Sequence, residues 1–130
     1  MSPRIKNNSG FTLIEILIAI SLLSIVMLGL ALMATAAVQQ GDFVRNRTIG
    51  ITLARDKIDD LKRLALSTPL SSANNNSETG IDAYGVEGQG KFNRIVTITG
   101  GPGQLTTLNV TLNWIDHKAN TLTQTILLKQ

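Results

Sequence analysis

Gly10-Phe11-Thr12-Leu13-Ile14-Glu15-Ile16-Leu17-Ile18-Ala19 opens an apolar run that continues to Val38 and contains one charge, Glu15. The 28 residues from Phe11 to Val38 make ~42 Å of helix at ~1.5 Å per residue, more than the ~30 Å hydrocarbon thickness of a bilayer. A carboxylate in hydrocarbon costs roughly 2.5 to 3.5 kcal/mol on insertion scales, so Glu15 calls for a positive partner. The expected partner is a terminal amine, created by cutting the chain between Gly10 and Phe11. Arg4 and Lys6, ahead of the run, place the N-terminus in the cytoplasm by the positive-inside rule, although Arg45 and Arg47 beyond it weaken the contrast. The rest of the chain is then expected outside the cytoplasmic membrane.

Helical character should continue past Val38. Ile51, Ala54, Ile58, Leu61 and Ala65 recur at three- and four-residue steps, while Asp56, Lys57, Asp59, Asp60, Lys62 and Arg63 fill the other side as a solvated charged face. Pro69 stops the helix near Leu66, because a residue preceding proline is pushed out of helical geometry. Ser67 to Gly80 is rich in Ser, Thr and Asn without an apolar period and reads as a surface loop, which Gly85, Gly88 and Gly90 extend to about residue 91. From Phe92 the period becomes two: Ile95 to Thr99, then Leu108, Val110, Leu112 and Trp114 alternating with Thr and Asn, then Leu122, Gln124, Ile126 and Leu128 alternating with Thr. The expectation is an α+β fold, a long N-terminal helix packed against a small antiparallel β-sheet of about three strands. Turns fall at Gly100-Gly101-Pro102-Gly103 and at Asp116 to Asn120, where Asn120 can take a left-handed conformation. Residues 1–10, 11–38, 39–66, 67–91 and 92–130 are thus read as leader, apolar helix, amphipathic continuation, loop region and sheet.

Composition narrows the function classes. The formal charge is +3, but without Arg4 and Lys6 ten basic face nine acidic side chains, a net of +1. Those that remain are interspersed, which argues against nucleic-acid binding as the main role. There is no cysteine, so burial against the long helix or neighbouring subunits has to replace disulfides in a small body. His117 is the only histidine and falls in a turn, a poor metal ligand. Asp56, Asp59 and Asp60 belong to the charged helix face rather than to an acid/base pair. No catalytic residue, cofactor or metal is expected, and the chain is read as a non-enzyme.

Glu15 has a plainer reading, since Thr12-Leu13-Ile14-Glu15 fits the Thr-x-x-Glu capping box that satisfies free amides at a helix start. Ala34-Thr35-Ala36 has the form of a signal-peptidase site, but a removable apolar core spans about 7 to 15 residues and this one is far longer. An uncut single-pass anchor is the further alternative.

At Gly10-Phe11-Thr12-Leu13-Ile14-Glu15, preceded by a short basic leader and followed by the apolar run, the chain resembles the type IV prepilins and pseudopilins. Its later part is similar to minor pilins of the PilV class and to small minor pseudopilins of type II secretion. The resemblance implies that a prepilin peptidase/methyltransferase cuts after Gly10 and N-methylates Phe11, and that Glu15 attracts a mature N-terminus during assembly. It implies as partners other pilin or pseudopilin subunits and an inner-membrane assembly platform. The implied location is a single pass through the inner membrane, then a periplasmic or cell-surface filament. The chain departs from many major pilins in lacking a proline in the apolar helix and a C-terminal cysteine pair, which favours a minor subunit. A membrane-anchored extracytoplasmic binding module is the competing class.

Overall fold

The computed structural model describes residues 11 to 129. The expected leader, Gly10 included, lies outside them. One helix, α1 (Leu13–Ser67), is followed by a short 3₁₀ turn (Ser72–Asn74) and strands β1 (Asn76–Ile81), β2 (Phe92–Thr99), β3 (Leu105–Ile115) and β4 (Ala119–Lys129). The chain divides into two compact units, one ending at Val38 and one beginning at Gln39.

In the first unit every described residue is exposed, including Leu22, Leu23, Ile25, Leu30 and Leu32. Its most apolar window has a mean hydropathy of 2.8, and by length and composition the segment can cross a membrane. Three hydroxyls of its helix donate to backbone carbonyls: Ser21 to that of Leu17 and Ser24 to that of Ile20, both at 2.8 Å, and Thr35 to that of Leu32. Such back-bonding spares an apolar environment any unpaired hydroxyl donor.

In the second unit Gly50, Leu53, Ala54, Ile58 and Leu61 of α1 are buried against an antiparallel meander with strand order β1-β2-β3-β4. Strict alternation explains the sheet. In β2, Phe92, Arg94, Val96 and Ile98 point inward, and in β3 Thr106, Leu108, Val110, Leu112 and Trp114 do so. Trp114 anchors this core, 3% exposed, with Phe92 tilted against it at 5.7 Å between ring centroids. A side chain at Gly50 would begin 3.6 Å from the Trp114 ring, so the glycine marks where indole and helix backbone meet. The helix ends as Pro69 requires, with the Thr68 amide donating to the Leu64 carbonyl at 2.9 Å.

The sheet has four strands, not about three. The added strand, β1, lies inside the stretch expected to be loop and pairs with β2 through Asn76↔Val96, Ser77↔Ile95 and Glu78↔Arg94, then slips before Ile81↔Phe92. Its sequence Asn-Ser-Glu-Thr-Gly-Ile has one aliphatic residue, because an edge strand needs little apolar cover and its main inward contact is ionic. The final turn is also shorter than expected. Asn120 lies within β4, its amide donating to the Lys118 carbonyl at 2.9 Å, and no described non-glycine residue has positive φ. At the other turn Gly100 has φ +120°, and a Cβ there would stand 2.8 Å from Thr106 Cα, which only glycine avoids.

The Thr106 hydroxyl is fully buried without a hydrogen-bond partner. Since an unsatisfied buried hydroxyl costs about 1 to 3 kcal/mol, the near-isosteric Thr106→Val should raise stability by roughly 1 kcal/mol, measurable as a higher urea midpoint at unchanged m-value. A lower midpoint would show that the hydroxyl has a partner in solution.

Candidate functional site

The first turn of α1 is built by Thr12. Its carbonyl accepts the amides of Glu15 (3.1 Å) and Ile16 (3.3 Å), and its hydroxyl lies 3.4 Å from the Glu15 nitrogen. Only the threonine half of the expected capping box is thus approached. Among the described residues the Glu15 carboxylate makes no hydrogen bond or ion pair. Phe11, Glu15, Ile16, Ala19, Ile20 and Leu23 line a shallow groove of about 350 Å³ in which Glu15 is the sole charged side chain. Phe11, 79% exposed, stands just ahead of the helix. A cation of the right size delivered beside this groove would meet one acceptor and otherwise hydrocarbon. Gly10 is outside the described residues, so its bond to Phe11 is not part of this geometry.

The family model described as the prokaryotic N-terminal methylation motif matches residues 5–31. The chain carries a type IV prepilin-like methylation motif. No curated protein and no solved structure matches the chain. The motif spans Phe11 and Glu15 and stops within the apolar part of α1, so it bears on the anchor segment and leaves the sheet to be read from its own residues.

Beyond the methylation motif, the second unit holds two charged clusters. In the first, Glu78 of β1 receives Lys57 Nζ on Oε1 at 2.5 Å and Arg94 Nε on Oε2 at 2.5 Å, with Arg94 Nη2 also bound to Oε2. Arg94 Nη1 donates in addition to the Leu53 carbonyl of α1 at 3.0 Å, so one buried guanidinium ties helix, β1 and β2 together. This corrects the reading of Lys57 as part of a solvated face: it is half-buried and crosses to the sheet, whereas Asp59 and Lys62 pair in the open at 3.3 Å. The position of Arg94 on the inward side of β2, between Phe92 and Val96, was the available signal. In the second cluster, Asp116 Oδ1 accepts Asn46 Nδ2 and Lys91 Nζ, each at 2.7 Å, and Oδ2 accepts Trp114 Nε1 at 2.9 Å. His117 is exposed in the adjacent turn.

For Glu78 burial works against ionisation, but Lys57 and Arg94 outweigh it and hold the carboxyl below its ordinary value of 4.5. For Asp116 desolvation is likewise overcome, by hydrogen bonds from Lys91, Asn46 and Trp114, and the carboxyl lies below 3.8. Both groups bind protons more weakly folded than unfolded, so each stabilises the fold above those ordinary values and loses its contribution as pH falls through the lowered ones. The urea midpoint should be flat from about pH 7 to about pH 5 and then decline. The decline should be shallower in Glu78→Gln, and an equally steep one would show that other carboxyls govern acid unfolding.

Proposed function

We propose that this chain is a minor pilin-like structural subunit, a substrate of a prepilin peptidase/methyltransferase and not itself an enzyme. Residues 1–10 are removed as a cytoplasmic leader by a cut between Gly10 and Phe11, Phe11 is N-methylated, and residues 11–38 serve first as a membrane anchor and then as filament core. The second unit is carried outside the cytoplasm and assembled from the inner membrane into a type IV pilus beside other pilin subunits. The observation that carries this reading is the methylation-motif match over residues 5–31, with Glu15 as the single charge in an otherwise apolar groove.

The chemistry follows from cleavage. A new α-amine, with a reference pKa of about 7.7 to 8.0, is largely cationic at neutral pH, and the positive end of α1 adds attraction for an anion. In the low dielectric of packed helices the amine and Glu15 favour each other strongly, while apolar contacts between helices replace those with lipid. Gly10→Val tests the reading. The variant should accumulate in the membrane with its leader attached and be absent from sheared filaments. Its presence there with the leader attached would overturn the proposal, because assembly would then need no cut.

A further inference from the structure

The two edges of the sheet differ. β1 is short, slips register after Glu78, and turns that carboxylate inward. Its Thr79 amide is held by Glu87 Oε1 at 3.1 Å. These are the devices that keep an edge from pairing with other chains. β4 has almost none of them. Its eleven residues pair with β3 in unbroken register from Leu105↔Lys129 to Ile115↔Ala119. They include no proline or glycine, and the only charge within the strand is Lys129. Its other side has no neighbouring strand among the described residues.

We propose that the free edge of β4 accepts an extended segment of a different polypeptide, added as a fifth strand, with a neutral centre and an acidic residue at each end. Charge decides against a second copy. Lys118 immediately precedes β4 and Lys129 closes it; both are exposed, and neither has an ion pair among the described residues. Antiparallel self-pairing over the whole strand gathers Lys118 of one copy and Lys129 of the other at both ends. Parallel self-pairing sets each lysine against itself. Like charges facing each other across strands are destabilising, whereas carboxylates at these two points are favourable.

Side-chain alternation defines the rest of the partner. On the outer face Asn109–Thr125, Thr111–Thr123 and Asn113–Thr121 already form cross-strand hydrogen bonds at 2.6, 3.1 and 2.9 Å, so hydroxyl or amide side chains extend the same rows. On the inner face Leu122, Ile126 and Leu128 are only partly buried at the margin of the core, and aliphatic residues complete their cover.

The test uses full-length chain in detergent and two synthetic dodecapeptides, each with five Thr-Val repeats, one flanked by glutamates and the other by lysines, so that the flanking charges match the spacing of Lys118 and Lys129. The glutamate peptide should slow exchange at alternate amides from Ala119 to Lys129, leave β1 unchanged, and bind about tenfold more tightly than the lysine peptide. The exposed double change Lys118→Glu/Lys129→Glu should reverse that preference. Absence of protection in β4, protection at β1 instead, or equal binding of both peptides would overturn the proposal. So would β4 protection that rises with chain concentration alone, which would establish self-pairing. None of these outcomes depends on cleavage at Gly10, so they stand apart from the test of the filament reading.

Discussion

Glu78→Ala is expected to destabilise the second unit by about 3 kcal/mol, the low end of what removing one member of a buried ionic pair costs. The loss comes less from the attraction removed than from what stays behind. Arg94, whose side chain is 9% exposed, keeps its bond to the Leu53 carbonyl but loses its counter-charge, and Lys57 loses the acceptor that drew it to the sheet. Glu78→Gln, which retains one acceptor oxygen for Lys57 or Arg94, should cost less. Asp59→Ala, which breaks an exposed pair, should cost no more than about 0.5 kcal/mol. Trp114, the single tryptophan and a core residue, reports unfolding of this unit by fluorescence. An effect of Glu78→Ala as small as that of Asp59→Ala would mean that the cluster is solvated and ties nothing together.

The second large effect is on assembly. Glu15→Ala removes a charge whose presence in hydrocarbon is costly, so insertion and membrane abundance should be unchanged or higher. Incorporation into filaments should fall at least about tenfold, because a terminal amine buried among helices then lacks its anion, a loss of several kcal/mol. Glu15→Gln separates charge from hydrogen bonding and should resemble the alanine variant. Quantifying the chain in sheared filaments against the membrane pool decides the matter, and equal filament content for wild type and Glu15→Ala contradicts the proposed role.

The parts of this architecture that are local in sequence were legible there. The apolar run, the spacing of Ala54, Ile58 and Leu61 and the stop at Pro69 describe α1, because helix periodicity and proline sterics act over a few residues. Alternation likewise exposed β2, β3 and β4. β1 escaped because only Ile81 gives it an apolar inward side chain, and the other inward residue is Glu78, whose partners lie 21 positions earlier and 16 positions later, a relation no local period carries. The same gap placed Lys57 on the solvent side. On the helix, Leu53 is buried more deeply than Ile51, which is only half-buried: the apolar face is broad, and the sheet decides which part of it is covered. The candidate site differs from the sheet in this respect. Gly10, Phe11 and Glu15 form a linear signal within six residues, readable without any fold, whereas the Asp116 cluster draws Asn46 from 70 positions away.

The account turns on a trimmed and modified N-terminus facing Glu15, and the mass of the N-terminal peptide of the chain purified from its native membrane and filaments tests it most directly. The account predicts a peptide beginning at Phe11 with one added methyl group. A mature peptide that still contains residues 1–10, or one that begins after Ala36, would contradict it.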